Sequence, residues 1–277
     1  MNRVLIAISL SDYKLYSQII ALSALPDLER NEGDILALHL SVQTQDLGQY
    51  KALHQWLEDH RSIFTHVYIE TWWDTRLTDG APMNKVIAAT RHRNLALDTA
   101  VRKGYSHLWF IDSDILVPPH ALRRLLSLDV PLASGVYYSR DSRCPGIPFV
   151  FRWHYGDAIG APGDDRGHPL GTHFIRTLPL DGEMEADFTG AGCMMIRRDL
   201  FTVQRFRHEP QDGDICSLAE DGYYCWDYYR RTGRRIVVAL DIHCGHVGPD
   251  LTVYGPQYCP SYRRHDAHVG PHLAIYP

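Results

Sequence analysis

Short apolar runs alternate with segments of helical spacing along the first half of the chain. Val4-Leu5-Ile6-Ala7-Ile8 is an uninterrupted apolar run of the length of a buried strand. Ile35 to Leu40, His66 to Glu70, His107 to Ile111 and Leu132 to Tyr138 read as further strands. Between them, Tyr13 to Leu25 has helical spacing and stops at Pro26. Asp46 to His60 puts Leu53, Trp56 and Leu57 on one helical face. Met83 to Lys103 is a longer helical pattern with Pro82 near its start. It ends in Arg102-Lys103-Gly104, and basic residues followed by glycine suit a helix C-terminus. Pro118-Pro119 opens a short helix with Leu122, Leu125 and Leu126 on one side. Strands alternating with helices predict an α/β fold around a mostly parallel, doubly wound sheet.

The rhythm changes after Tyr138. Residues 139–185 are rich in Gly, Pro, Asp and Arg, with one β-like stretch at Phe149 to Trp153. An irregular stretch of that length inside a domain is usually functional or mobile, and it reads as a lid or an acceptor-side insertion. Order resumes at Ala186 to Ile196, around Gly190-Ala191-Gly192. Ala219 to Thr232 reads as a helix stopped by Gly233, and Ile236 to Leu240 as a last strand. The expected organisation is one domain over 1–277: a first half at 1–138, the insertion at 139–185, a second half at 186–250 and a tail at 251–277.

Composition narrows the function classes. The formal net charge is −5, which gives no general pull toward nucleic acid or anionic membranes. No stretch approaches the ~20 consecutive apolar residues of a membrane span. The apolar N-terminus is short and carries no signal-peptide cleavage pattern, so a cytoplasmic protein is expected. The six cysteines form no C-x-x-C pair, and reduced thiols are expected.

The strongest candidate chemistry is Asp112-Ser113-Asp114, directly after Leu108-Trp109-Phe110-Ile111. In open α/β sheets ligands gather at the carboxyl ends of the strands. Two carboxylates there, one residue apart, are costly unless a cation meets them. The pattern suits Mg²⁺ or Mn²⁺ held against a diphosphate, with Asp114 on the metal and Asp112 on the metal or a ribose. A late histidine in Asp241-Ile242-His243-Cys244-Gly245-His246 would complete the shell, and His246, flanked by Gly245 and Gly248, is the better placed. Glu220-Asp221 opens a helix, where acidic residues favour the dipole; either is also a candidate general base. Arg91 and Arg93, on the helix before the D-x-D strand, suit diphosphate recognition.

Together, Phe110-Ile111-Asp112-Ser113-Asp114, Thr189-Gly190-Ala191-Gly192, Glu220-Asp221 and His246 resemble a glycosyltransferase of the GT-A fold. The likeness is greatest to family-2-type enzymes and small transferases of bacteria and their phages. It implies a Rossmann-like domain whose first half binds a nucleotide sugar and whose second half forms an acceptor cleft. It implies a UDP- or GDP-sugar donor on the side of Ser9, Asp12, Arg91, Arg93, Asp112 and Ser113. Asp112, Asp114 and His246 match the metal site, and Glu220-Asp221 the acidic pair from which inverting members draw their base. The Gly190 to Gly192 stretch matches a loop on the acceptor side. The acceptor would be a saccharide, a protein or a modified DNA base; for the last, Arg140, Arg143, Arg152 and Trp153 would supply a basic, aromatic face. No Q-x-x-R-W follows the acidic pair, where Tyr228-Tyr229-Arg230-Arg231 stands instead, which argues against a processive synthase. The alternatives are a nucleotidyltransferase making a nucleotide sugar and a non-catalytic nucleotide- or sugar-binding module. The first expects a glycine-rich loop after the first strand, and Ser9-Leu10-Ser11-Asp12 has no glycine.

Overall fold

The computed structural model describes residues 1–11, 22–43, 47–71, 82–140, 146–154, 171–175, 178–179, 181–212, 214, 218–248 and 251–256. Its strands are β1 (Arg3–Ser11), β2 (Ile35–Gln43), β3 (His66–Thr71), β4 (His107–Asp112), β5 (Ile115–Leu116), β6 (Leu132–Val136) and β7 (Val150–His154). They continue as β8 (Gly171–Phe174), β9 (Glu183–Ala186), β10 (Phe188–Thr189), β11 (Cys193–Arg197), β12 (Ile236–His243), β13 (Gly245–Val247) and β14 (Val253–Tyr254). The helices are α1 (Leu47–His60), α2 (Pro82–Lys103), α3 (Ala121–Ser127), α4 (Arg198–Phe201) and α5 (Glu220–Thr232).

The central sheet runs β3-β2-β1-β4-β11-β6-β12-β9. The β3-β2, β2-β1, β1-β4 and β6-β12 pairs are parallel. Strand β11 lies antiparallel between β4 and β6, and β9 is an antiparallel edge on β12. The sheet is therefore mixed and mostly parallel, as the alternating pattern predicts.

Period-two alternation sorts each strand's side chains into two cores. On β4, Leu108 and Phe110 enter one core; Trp109 and Ile111 enter the other. Strand β11 divides the same way, with Met194 and Ile196 against Cys193 and Met195. Ala96, Leu97 and Ala100 of α2 and Tyr224, Cys225 and Trp226 of α5 cover the first face. Leu53, Trp56 and Leu57 of α1 and Leu122 and Leu125 of α3 cover the second. Helices α2 and α5 stop where the sequence predicts: Gly104 and Gly233 adopt left-handed backbone, at φ 73° and 69°.

Two features differ from the sequence expectation. Residues 139–185 contain more order than one β-like stretch: β7 and β8 join β10 in a three-stranded antiparallel sheet, and β9 extends the central sheet. These strands are short and mixed in polarity, so their pairing is set by tertiary partners rather than by a long apolar run. The tail's Val253–Tyr254 also pairs, in a small sheet ordered β14-β13-β5. Most of the helix expected at 13–25 lies outside the described residues, as do Asp12, Arg143 and everything after Pro256. No helix among the described residues is long and apolar enough to cross a membrane.

Candidate active site

The site is built where β4 ends. Ser9 of β1 stands beside Asp112 in the parallel ladder, so the first and fourth strands deliver both to one edge. The chain turns at Ser113-Asp114 and re-enters as β5, which pairs with β13: Ile115 faces His246 and Leu116 faces Gly245. That register brings a residue 132 positions away, by the numbering, next to the D-x-D. The His246 Nε2 lies 3.4 Å from Asp114 Oδ2, and the Val247 N–H donates to the Asp114 carbonyl at 2.8 Å. Gly245 is required here, because a Cβ would stand 2.6 Å from Val253 Cγ1.

The His246 ring is oriented from behind. Its Nδ1 donates to the Tyr138 carbonyl oxygen at 2.7 Å, which leaves Nε2 facing Asp114. This is how a metal-ligating imidazole is usually fixed. His243, the other candidate, pairs through Nδ1 with the Tyr138 hydroxyl at 2.7 Å instead. Asp114 is 1% exposed. A guanidinium also reaches it: Arg140 Nη1 is 2.9 Å from Oδ2.

Asp112 has a different environment. Its Oδ1 accepts from Arg93 Nη2 at 3.2 Å, and the Arg93 Nε donates to Glu220 Oε1 at 3.1 Å. Arg93 thus bridges the end of β4 to the first turn of α5, with its guanidinium over Phe110 and Phe206 at 5.3 and 5.7 Å. Burial opposes its charge, but Asp112, Glu220 and Asp221 together hold its pKa above the ordinary value. Arg91, two residues earlier and about 200° around the helix, is exposed.

Asp221 faces the glycine loop between β10 and β11. It accepts from the Ala191 N–H at 3.2 Å and from its neighbour Gly222 N–H at 2.7 Å. Burial raises its pKa, against the pull of Arg93. Burial and the Asp221 charge push Glu220 up to about 7, again opposed by Arg93. The loop is pressed against Tyr137: a Cβ on Gly190 would fall 1.6 Å from the Tyr137 hydroxyl, and one on Gly192 3.1 Å from its ring. Tyr137 in turn stacks on Phe149 with centroids 5.1 Å apart and meets His246 edge-on at 5.8 Å. One buried ring therefore separates the His246 side from the Asp221 side.

Beneath Ser9 and Asp112 is a narrow cleft of about 10 Å³, room for about one water, lined also by His39, Ser41, His92 and Arg93. The His92 Nδ1 pairs with Ser41 Oγ. Burial, with Arg93 adding, pushes His92 down to about 3, so this ring stays neutral.

Of the residues singled out in the sequence, the structure brings Ser9, Arg93, Asp112, Ser113, Asp114, Glu220, Asp221 and His246 to one end of the sheet; Tyr137 is not among them. Arg140 and Arg152, read as a basic face, pair with Asp114 and Asp187. Arg140 directly follows the β6 region, and only the strand order shows that this end lies near β4. Among the described residues no group of three or more His, Cys, Asp or Glu could by itself hold a metal ion. An ion on Asp114 and His246 would need further oxygens from its ligand, as Mg²⁺ and Mn²⁺ take from phosphates.

No family model and no curated protein sequence matches the chain. Solved structures match over most of it. GalNAc-T7, with UDP, GalNAc and Mn²⁺, gives a TM-score of 0.56 at 10% identity, covering 89% of this chain and 44% of that one. TarS 1-349 of S. aureus, in complex with UDP, gives 0.51 at 14% identity, covering 86% and 58%. A197 from STIV gives 0.45 at 12% identity, covering 92% and 94%. The chain spans less than two thirds of the GalNAc-T7 and TarS chains it matches. What these similarities carry is architecture: the chain has the GT-A fold, in structural likeness to nucleotide-sugar glycosyltransferases.

Proposed function

We propose that this protein is a glycosyltransferase that moves a sugar from a UDP- or GDP-sugar to an acceptor hydroxyl, using Mn²⁺ or Mg²⁺ at Asp114 and His246. The approach of His246 Nε2 to within 3.4 Å of Asp114 Oδ2, at the carboxyl end of β4, carries the reading. A buried carboxylate and an imidazole with its Nδ1 engaged suit a divalent ion that takes its remaining ligands from a diphosphate. When bound, such an ion supplies Lewis-acid stabilisation of the leaving diphosphate.

The chain's own residues do the rest. Asp112, with Ser9 and Ser113 beside it, orients the donor's ribose. Arg93 acts through Asp112 and Glu220, fixing both carboxylates rather than reaching the donor itself. Asp221 takes the proton from the acceptor hydroxyl, and its raised pKa suits it to that exchange. A base on the acceptor side fits an inverting reaction. Residues 1–138 bind the donor, 186–250 shape the acceptor cleft, and 139–185 limit the entry of water. The acceptor classes remain a saccharide, a protein or a modified DNA base.

Thermal shift with nucleoside diphosphates, with and without Mn²⁺, tests the reading on wild type and Asp114→Ala. A ligand at 100 times its Kd stabilises by about 2.7 kcal/mol. A Mn²⁺-dependent rise with UDP or GDP, lost in Asp114→Ala along with transfer, is the expected result. Absence of a rise with every nucleotide would overturn the donor assignment. Slow Mn²⁺-dependent hydrolysis of a sugar nucleotide separates an enzyme from a binding module.

A further inference from the structure

Arg140 stands where a cation bound to Asp114 would stand. Its Nη1 is 2.9 Å from Asp114 Oδ2, the same oxygen that His246 Nε2 approaches at 3.4 Å. The same nitrogen donates to the Val247 carbonyl at 2.9 Å, one residue beyond His246. Asp114 is 1% exposed, and an ionised carboxylate so far out of water is costly without a counter-charge. Arg140 provides that charge, so the acidic site is neutralised by the chain itself. Its own side chain is 27% exposed, which leaves the guanidinium a way out.

We propose that Arg140 is a resident counter-ion that competes with the divalent cation for Asp114, and that it is released to pair with the anionic diphosphate when metal and diphosphate arrive together. The inference rests on the metal reading above. A guanidinium and a divalent cation repel each other across one carboxylate oxygen, so the bare ion must displace Arg140 and leave it without an anion. A diphosphate supplies that anion, because the guanidinium fork pairs well with phosphate oxygens. Metal and diphosphate then bind with positive coupling, each raising the other's affinity by the same factor. The arrangement favours loading of the metal–nucleotide complex over loading of free metal.

The test is Mn²⁺ binding to the full chain, read from the electron paramagnetic resonance signal of free Mn²⁺, with and without UDP or GDP. Wild type, Arg140→Gln, Arg140→Lys and Asp114→Asn are compared after circular dichroism confirms that each is folded. Arg140→Gln should bind Mn²⁺ alone about tenfold tighter than wild type, a coupling of ordinary size. Nucleotide should then improve its Mn²⁺ affinity by a smaller factor than in wild type. Arg140→Lys keeps a cation and should return Mn²⁺ affinity toward the wild-type value. If Arg140→Gln binds Mn²⁺ no tighter than wild type while Asp114→Asn loses the site, the counter-ion role is wrong and the metal reading survives. If no protein binds Mn²⁺ with or without nucleotide, both fall.

Discussion

Glu220 and Asp221 are sequence neighbours with unlike partners in the same buried corner. Burial raises both pKa values, and the Asp221 charge helps to push Glu220 up to about 7 while Arg93 resists. On the proposed reading a base drawn from this pair is protonated in acid, so turnover should rise with pH along an acid limb that lies above the ordinary carboxylate range. Glu220→Gln should leave this limb in place in a kcat/KM profile, because Asp221 is the proposed base; loss of the limb would assign it to Glu220 instead. Stability has the opposite slope. Between about 4.5 and about 7 the folded chain keeps a proton on Glu220 that the unfolded chain has released. The raised pKa therefore favours folding fully below the lower value, and this contribution is lost as pH rises through the upper one. Urea midpoints of wild type should fall over that window relative to Glu220→Gln. The sequence shows these two carboxylates as an acidic pair at a helix start. It does not show that Arg93 meets Glu220, because that contact spans 127 residues and depends on α2 and α5 sharing a face of the sheet.

At the scale of elements, the site depends on two close approaches. Arg93 ties α2 to α5 and to the end of β4. Arg93→Met leaves Asp112 and Glu220 without their shared cation, and loss of one partner from a buried ion pair costs about 3–5 kcal/mol. Urea denaturation should show a loss toward the lower end of that range, since the Asp112 side chain is 28% exposed. The second approach is Tyr137 against the glycine loop. Gly190→Ala sets a methyl against the tyrosine hydroxyl, and overpacking of this kind costs about 1–3 kcal/mol. Tyr137→Phe removes the hydroxyl, so the double variant should recover part of the loss; a purely additive double variant would refute the contact. The longer elements are legible because their periodicity is strong: α2 begins at Pro82 and ends before Gly104, and β4 delivers the D-x-D. The β5–β13 pairing that sets His246 against Asp114 is not legible, since β5 has two residues and β13 three. Strands that short have no pattern apart from their partners.

For the whole molecule, strand order matters more than sequence order. Sequence organisation gives one domain whose first half, 1–138, holds both β4 and β6. In the sheet, β11 of the second half lies between those two strands. A fragment of residues 1–138 would lack the strand that joins β6 to β4 and would expose apolar strand edges, which invite aggregation. It should show no cooperative transition in near-UV circular dichroism, whereas the full chain should. Cooperative unfolding of the fragment would mean that the first half is an independent unit. The alternating pattern of the sequence reveals the layers but not this interleaving, because an antiparallel strand buried on both faces reads like a parallel one.

The ladder between β12 and β6 is in register through Ala239↔Gly135 and resumes at His243↔Val136, with a shift between the two. Downstream of that shift the chain works as a ruler whose length decides whether His246 arrives opposite Ile115. Replacing a letter along the ruler changes one side chain. Adding or removing a letter turns each later residue to the other face of its strand. In this stretch a changed codon acts at its own position, as at Gly245, but a one-codon gain or loss would misalign His246 with the Asp114 carboxylate it approaches.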